Sequence, residues 1–374
     1  MYSLLNILLL FSIFQLSLVG VSFLFFRGEN SIANKFLALF LISKAICFAG
    51  SFLGSYIESP VYGQFLILLS YSFDLLLGPS IYFYIKKSTY NEIKFNNYFY
   101  ANFLPFTVGF IAVWIFCFPG IALTVKNYFA YKPFGVFSFY GSIEFIVYSH
   151  FVVYSSLSIK LLSSYSKYVM DNFSNADVQL LRWLRILLGG FVFIWVINIL
   201  DILMQLRGSA GLILSVATIG GIFVFANLIV IISVLNPEIF RDKIHSVKPK
   251  YEKTLLDESE KEKYAERLNK IIADEKIYLS GNLSLTDLAE KLNVQNHVVS
   301  QIINTTFGKN FYDYINFFRV EECKKLLTSS SHKSKTVLEI AFGCGFNSKS
   351  VFNESFKKNT GLTPTEFRKR YVVG

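Results

Sequence analysis

The chain has 374 residues, of which 53% are hydrophobic and only 17% are charged. Because soluble domains are about one-quarter charged, this composition excludes a protein that is soluble along its whole length. Residues 1–240 carry 13 Lys and Arg and 9 Asp and Glu, whereas 241–374 carry the other 23 and 17. The net charge of +10 is thus shared as +4 and +6, and charge alone does not establish nucleic-acid binding. We predict an apolar part and a charged part with a boundary near Pro237.

Apolar stretches fill the first part of the chain, most of them close to the roughly twenty residues that span a bilayer. We count seven, at residues 3–26, 35–56, 62–85, 99–119, 134–159, 184–206 and 211–235. The first stretch lacks a basic leader and a small-residue cleavage motif, which favours a retained helix over a signal peptide. The sequence therefore predicts that residues 1–236 form a bundle of seven transmembrane helices, acting as a sensor or an anchor.

Basic residues in the short loops predict the orientation of this bundle. If the C-terminus is inside, the inner loops carry nine basic residues: Arg27, Lys35, Lys86, Lys87, Lys94, Lys160, Lys167, Arg182 and Arg185. The outer loops carry three: Lys126, Lys132 and Arg207. The count predicts a multi-pass protein of the inner (cytoplasmic) membrane, with its N-terminus outside and its C-terminal domain in the cytoplasm. A count of six or eight spans is the alternative.

Several ionisable residues fall inside the apolar stretches, where they are costly in lipid and mark functional sites or paired positions. They are Lys44, Asp74, Glu144, His150 and Asp201. One hypothesis is a ligand or ion pocket within the bundle. The other is pairing, for example of Lys44 with Asp74, that only fixes how the helices pack.

Cysteine spacing and the absence of catalytic motifs bear on enzyme activity. Cys47, Cys117, Cys323 and Cys344 have no metal-ligand spacing and are predicted to be buried free thiols. The sequence has no nucleotide-binding loop or metalloprotease motif. We therefore expect no enzyme activity, no cofactor and no metal site.

Residues 237–280 are predicted to be a charged linker that ends in an amphipathic helix from about 260 to 275. Tyr264, Leu268, Ile271 and Ile272 form its apolar stripe at helical spacing. The stripe suits either packing against the following domain, which we favour, or pairing with a second chain.

Two helix–turn–helix patterns follow in residues 281–374. In the first, Ser284 and Asp287 form a capping box, Asn293 marks the turn, and a helix at about 296–306 turns Val299, Ile302 and Ile303 inward. A connecting helix is predicted at 312–327. In the second, Gly343 and Gly345 mark the turn, Ser348 caps the next helix, and Gly361 ends it. The inward face of that last helix is predicted to be Val351, Phe352, Ser355 and Phe356.

The second pattern carries a family resemblance. Its residues run Ile340-Ala-x2-Cys344-Gly-Phe-x-Ser-x-Ser-x-Phe352-x3-Phe356-Lys-x3-Gly361-x-Thr-Pro-x-x-Phe367-Arg. This order resembles the DNA-binding domain of the AraC/XylS family of bacterial transcription regulators, from about Leu283 to Lys369. The resemblance implies an all-α domain with two helix–turn–helix units, whose second helices enter the DNA major groove.

The resemblance also suggests which side chains contact double-stranded DNA. The predicted base contacts are Gln295, His297, Ser300, Gln301, Lys349, Ser350 and Glu354. The predicted phosphate contacts are Lys309, Lys357 and Lys358. Glu354 departs from the Arg or neutral residue often found there; it can accept a hydrogen bond from cytosine but repels phosphate.

Together these patterns predict an all-α, membrane-integrated, one-component transcription regulator whose partners are double-stranded DNA and the lipid bilayer. The membrane bundle would sense an unknown small-molecule or membrane signal. Homodimerisation is a further hypothesis that rests on the resemblance. The alternatives are a membrane transporter or membrane enzyme with an attached regulatory DNA-binding domain, and a bundle that only anchors that domain.

Overall fold

The computed structural model describes residues 2–26, 30–58, 60–90, 93–116, 139–175, 178–206, 212–241 and 257–371. This described part is helical apart from turns and one isolated bridge between Phe173 and Ser284, so the predicted all-α class is confirmed there. The chain forms two compact units, and neither is continuous in sequence. Unit 1 comprises residues 1–163 and 182–247, and unit 2 comprises residues 164–181 and 248–374. The sequence-based boundaries at residues 236 and 280 stay a prediction.

Unit 1 is built from apolar helices, two of which run on into unit 2. In order they are α1 Tyr2–Phe25, α2 Ser31–Tyr56, α3 Pro60–Tyr90, α4 Asn97–Ala101, α5 Leu104–Phe116, α6 Phe139–Asn172, α7 Val178–Leu206, α8 Leu212–Leu235 and α9 Glu238–Arg241. Helix α2 packs against α1 and α3, α3 also packs against α5, and α1 packs against α8.

Six helices in the described residues are long and apolar enough to cross a membrane. The qualifying segments are Asn6–Phe25, Ser31–Gly54, Phe65–Tyr90, Ile143–Asn172, Leu180–Asp201 and Val216–Leu235. The predicted stretch 99–119 is not among them. There α4 ends at Ala101, and α5 has 13 residues, about 20 Å, against a hydrocarbon core of about 30 Å. Residues 117–138 lie outside the described residues, so the count of seven spans stays a prediction.

Small residues allow α2 and α3 to approach closely. A Cβ atom added to Gly50 would lie 2.8 Å from the carbonyl oxygen of Leu66. One added to Gly54 would lie 2.8 Å from the carbonyl oxygen of Gly63. Gly50 and Gly54 therefore mark a backbone-to-backbone crossing of the kind that small residues four apart permit in membrane helices.

Unit 2 contains the C-terminal helices. They are α10 Glu258–Glu275, α11 Leu285–Leu292, α12 Asn296–Thr306, α13 Phe311–Thr328, α14 Val337–Gly343, α15 Lys349–Thr360 and α16 Pro364–Tyr371, with short 3-10 turns at Ile277–Leu279 and Ser330–His332. Leu268 and Ile272 of α10 are buried in the core, and Tyr264 and Ile271 pack against it. The predicted packing of this helix on the following domain is therefore confirmed.

The first helix–turn–helix unit consists of α11, the turn at Asn293 and α12. The amide of Ser284 donates to Asp287 Oδ2 at 2.7 Å, and the amide of Asp287 donates to Ser284 Oγ at 3.3 Å, which confirms the capping box. Asn293 adopts a left-handed conformation with φ of +55°, which Asn tolerates better than most residues. Val299 and Ile302 are fully buried, as predicted.

The second unit consists of α14, the turn before Ser348 and α15. A second capping box begins α14, where the amide of Thr336 donates to Glu339 Oε2 at 2.6 Å. Ser348 caps α15 as predicted, because its Oγ accepts from the amide of Val351 at 3.2 Å. The predicted pair of turn glycines is corrected: Gly343 is the last residue of α14, and only Gly345 has a positive φ, of +88°.

Candidate functional site

Helix α12 presents an uncharged polar face. Gln295 is exposed at its N-cap, and Ser300 and Gln301 are half-buried. His297 is also half-buried, and its Nε2 atom is buried without a hydrogen-bond partner among the described residues. The face can therefore offer amide and hydroxyl groups to base edges, with His297 set deeper than the sequence pattern suggested.

Helix α15 presents a charged polar face. Lys349, Glu354 and Lys357 are exposed, and Ser350 is half-buried. Its other face is in the core: Val351, Phe352, Ser355 and Phe356 are all buried, as predicted. Because Lys357 lies three residues after Glu354 on the same helix, any base contact by the carboxylate would be flanked by positive charge.

The predicted phosphate-binding lysines differ in their surroundings. Lys358 Nζ lies 2.7 Å from Asp313 Oδ1, in a pair whose lysine side chain is 63% exposed. Lys309 Nζ lies 3.8 Å from the centroid of the Phe317 ring. An exposed ion pair contributes about 1 kcal/mol or less, so Lys358 can exchange its carboxylate partner for a phosphate at little cost.

Polar side chains that the sequence did not single out fix the loop before α14 and the turn of the second helix–turn–helix unit. Arg368 donates from Nη1 to the carbonyl of Lys335 at 2.7 Å, and from Nη2 to the carbonyls of His332 and Lys333 at 3.1 and 2.8 Å. Asn347, in the turn of the second unit, donates to the carbonyl of Gly281 at 3.2 Å. The Phe-Arg pair of the resemblance included Arg368, but nothing in the pattern gave its role in fixing the loop before α14.

A buried arginine lies on the connecting helix α13. Arg319 has no exposed surface. Burial lowers the pKa of Arg319 to about 10, so the guanidinium is still charged at neutral pH. A buried charge is stable only if hydrogen-bond acceptors surround it, and the atoms that do so are described below.

Unit 1 contains a polar cavity of about 280 Å³. Four of the five predicted intramembrane residues line it, one each from α2, α3, α6 and α7: Lys44, Asp74, Glu144 and Asp201. Lys44 Nζ lies 3.2 Å from Asp74 Oδ1, and Tyr71 donates its hydroxyl to Glu144 Oε1 at 2.8 Å. The ion pair proposed from the sequence is therefore present, and it forms part of a cavity wall.

His150, the fifth predicted intramembrane residue, is not part of this cavity wall. Its ring centroid lies 4.7 Å from that of Tyr154, and its Nε2 atom is buried without a hydrogen-bond partner in the described part of the chain. The structure thus brings four of the five residues together and leaves His150 in an aromatic contact.

Aromatic rings complete the polar cavity. Lys44 Nζ lies 5.1 Å from the ring centroid of Phe48 and 5.7 Å from that of Trp195, within the range of a cation–π contact. A second cavity, of about 510 Å³, has mainly apolar walls and shares Tyr71 and Val147 with the first. The polar cavity is therefore separated from this apolar cavity by only a few side chains.

The thiols do not form a site in the described residues. Cys47, Cys323 and Cys344 are buried and free, as predicted, and Cys117 lies outside the described residues. A hydrogen bond with Cys344 and burial raise the pKa of the Cys323 thiol. In the same part of the chain, no three His, Cys, Asp or Glu side chains are grouped closely enough to hold a metal ion.

Comparison with known proteins agrees with this geometry in unit 2. Residues 288–370 match a family described as a helix-turn-helix domain. An uncharacterized HTH-type transcriptional regulator, YijO, from Escherichia coli is 32% identical over 24% of this chain and 30% of its own length. The HTH-type transcriptional activator RhaR from Yersinia pseudotuberculosis is 25% identical over 29% of this chain and 36% of its own length. The chain thus spans about a third of the length of these relatives.

A solved structure is also similar to part of this chain. The C-terminal domain of AraT, a response regulator from Geobacillus stearothermophilus, is 27% identical over 30% of this chain and 88% of its own, with a TM-score of 0.27. These matches support a helix-turn-helix DNA-binding domain in the C-terminal part of this chain.

Proposed function

We propose that the protein is a membrane-integrated one-component transcription regulator. Unit 1 lies in the inner membrane as seven spans, with the N-terminus outside and the DNA-binding domain in the cytoplasm. The polar cavity of unit 1 binds the signal, and the AraC-type domain binds promoter DNA. The observation that carries this proposal is the cavity itself, in which four apolar helices place Lys44, Asp74, Glu144 and Asp201 around one space.

The ion pair of Lys44 and Asp74 does not include Glu144, another charged residue of this cavity. Three carboxylates and one ammonium group line it, and the ammonium is paired with one carboxylate, Asp74. Glu144 accepts its hydrogen bond from Tyr71, a neutral group. A carboxylate held by a neutral hydroxyl, together with aromatic walls, favours a ligand that carries a positive charge. We therefore assign the signal to the class of small organic cations.

On the DNA side, the two recognition helices have different tasks. The base contacts are Gln295, His297, Ser300 and Gln301 from the first unit, with Lys349, Ser350 and Glu354 from the second. Lys309, Lys357 and Lys358 bind phosphates, which position the domain without specifying a sequence. Two such chains on one operator would form the homodimer suggested by the resemblance.

The test is to crosslink the epitope-tagged, full-length protein to DNA in its own cells and to sequence the recovered fragments. We expect a few sharp peaks at promoters. Changing His297, Gln301 and Lys349 together to Ala should abolish the peaks while the protein stays in the membrane fraction. Intact protein that yields no peaks under any growth condition would refute the assignment.

The sensing step needs a second set of variants. Glu144→Gln with Asp201→Asn removes two carboxylates from the cavity at nearly constant volume. We expect this variant to give peaks of fixed height in media where the wild-type peaks vary. Ser149→Ala, at an exposed position of the same helix α6, is the matched control and should behave as wild type.

Two outcomes would contradict sensing by the cavity. Peaks that vary normally in the Glu144 and Asp201 variant would leave unit 1 as an anchor. Uptake of organic cations by vesicles that contain the purified protein, lost in the same variant, would assign the cavity to transport instead.

A further inference from the structure

A short segment between two candidate membrane helices belongs to the DNA-binding unit rather than to unit 1. Residues 164–181 group with residues 248–374, and within them the chain leaves α6 at Asn172 and enters α7 at Val178. The docking segment is defined as the three residues after α6: Phe173, which forms the isolated bridge with Ser284, and Ser174 and Asn175, which make the contacts described below. Ser174 has no exposed surface.

The docking segment supplies half of the hydrogen bonds to the buried guanidinium of Arg319. Nη1 donates to the Ser174 carbonyl at 3.1 Å and to Asn175 Oδ1 at 3.3 Å, and Nη2 donates to Ser174 Oγ at 3.0 Å. The other three acceptors come from the rest of unit 2: the carbonyl of Tyr278 at 2.7 Å, Asn316 Oδ1 at 3.2 Å and the carbonyl of Ser280 at 2.7 Å. Without the segment, a buried cation loses three of six acceptors, a costly state unless water replaces them.

The same segment also joins parts of the domain that carry the two recognition helices. Ser174 donates its amide at 3.1 Å and its hydroxyl at 2.6 Å to the carbonyl of Leu283, directly before the first helix–turn–helix unit. The Asn175 side-chain amide donates to the carbonyl of Gly281 and, at 3.3 Å, to the carbonyl of Gly345 in the turn of the second unit. Ser174 and Asn175 therefore contact α13 and segments that adjoin both helix–turn–helix units.

We propose that the docking segment is an intramolecular ligand of the DNA-binding domain. It occupies a site formed by Arg319, Asn316, the 280–283 turn and Gly345, and it sets the separation of α12 and α15. Because the segment is the direct continuation of α6 and precedes α7, displacement of either helix pulls on this site. The docking does not depend on the proposed function, whereas its control of operator binding rests on it.

The test uses the full-length protein in lipid nanodiscs and compares two variants. Ser174→Ala with Asn175→Ala removes the side-chain acceptors and donors of the docking segment. Asn172→Ala is the matched control, because the Asn172 amide donates at 2.8 Å to the carbonyl of Tyr168 on its own helix. Hydrogen exchange followed by mass spectrometry should be faster in residues 278–284 and 343–347 of the double variant only. Equal exchange in both variants would refute docking.

The second measurement asks whether docking sets the spacing of the two helix–turn–helix units. A bipartite operator is selected from random duplex DNA with the wild-type protein, and each half is also made as a separate duplex. In the double variant, affinity for the bipartite operator should fall about tenfold, because misplaced units no longer bind together. Affinity for each half should stay within about twofold, since each unit remains folded.

The outcomes of this measurement separate the two proposals. An unchanged ratio of bipartite to half-operator affinity, with either all affinities lowered or none, would overturn the positioning role of the docking segment. Failure of the wild-type protein to select any duplex would overturn the proposed function, and the exchange experiment would still decide whether the segment docks.

Discussion

The two helix–turn–helix units share one plan but are held in different ways. In each, a capping box begins the first helix, and a residue with positive φ makes the turn. The turn of the first unit uses Asn293. The turn of the second uses Gly345, where an added Cβ would lie 2.7 Å from the carbonyl oxygen of Tyr278. The first turn therefore requires only a residue that tolerates a positive φ, whereas the second is also packed against the backbone of another segment.

The recognition helices differ as much as the turns. Helix α12 contains no Lys, Arg, Asp or Glu, whereas α15 contains Lys349, Glu354, Lys357 and Lys358. Uncharged amides discriminate base edges but add little to the general attraction for DNA, and lysines do the reverse. Under the proposed function, the first helix–turn–helix unit would supply specificity and the second would supply most of the charge-dependent affinity.

The largest expected effect is on stability and concerns the two turns. Gly345→Ala should lower the free energy of unfolding of unit 2 by about 2–3 kcal/mol, because Ala is strained at positive φ and its Cβ meets backbone oxygens. Asn293→Gly should change it by about 0.5 kcal/mol or less, since Gly accepts this conformation freely. The rate at which a thiol reagent modifies buried Cys344 across a denaturant series reports the opening of unit 2. Equal effects of the two substitutions would show that the second turn is no more constrained than the first.

The next prediction separates the recognition helices. Gln301→Ala should cost about 1–3 kcal/mol on the selected operator and relax the preference at one base position. Lys357→Ala should weaken binding to all duplexes alike and lower the slope of log affinity against log salt by about one. Binding curves at several salt concentrations, on the operator and on a scrambled duplex, distinguish the two. A changed salt slope for Gln301→Ala would assign that side chain to a phosphate instead.

A smaller effect is expected at the capping boxes, which both helix–turn–helix units contain. Ser284→Ala and Thr336→Ala should each cost about 1 kcal/mol, because each removes the side-chain acceptor of a capping box. Hydrogen exchange at the amides of Asp287 and Glu339 measures the loss directly. If only one variant exchanged faster, the two caps would not be equivalent.

The smallest expected effect concerns pH. Hydrogen bonds from Thr336 hold the pKa of the exposed Glu339 carboxyl below its ordinary value of 4.5. Because the pKa is lower in the folded state, the stabilisation is fully present above pH 4.5 and is lost as the pH falls through the lowered pKa. Exchange in the first turn of α14 should therefore rise in this acidic range. Glu339→Gln, which has no charge to lose, should flatten the pH dependence.

Features that depend on neighbouring residues could be predicted from the sequence. The capping boxes, the turn at Asn293, the cap at Ser348 and the buried faces of α12 and α15 all involve residues within a few positions of each other. The ion pair of Lys44 and Asp74 was also foreseen, because few partners exist for a charge inside an apolar stretch.

Features that depend on tertiary arrangement were missed. Whether His150 joins the cavity depends on the rotation and tilt of α6, which hydropathy does not encode. In the sequence, Ser174 and Asn175 cannot be distinguished from other polar loop residues. Their partners at Leu283 and Arg319 are 109 to 145 residues further along the chain. The pattern placed Arg319 on the connecting helix without indicating that it is buried or what surrounds it.

The separation of Ser174 from its partners also has a consequence for biosynthesis. The ribosome completes Ser174 145 residues before it adds Arg319. At roughly 5–20 residues per second, the interval is about 7–30 s. During that time α6 and α7, on either side of the docking segment, become available for insertion into the membrane. The site that the docking segment occupies has not yet been synthesised. The DNA-binding domain can therefore be completed only as the last quarter of the chain emerges, by folding around a peptide made much earlier.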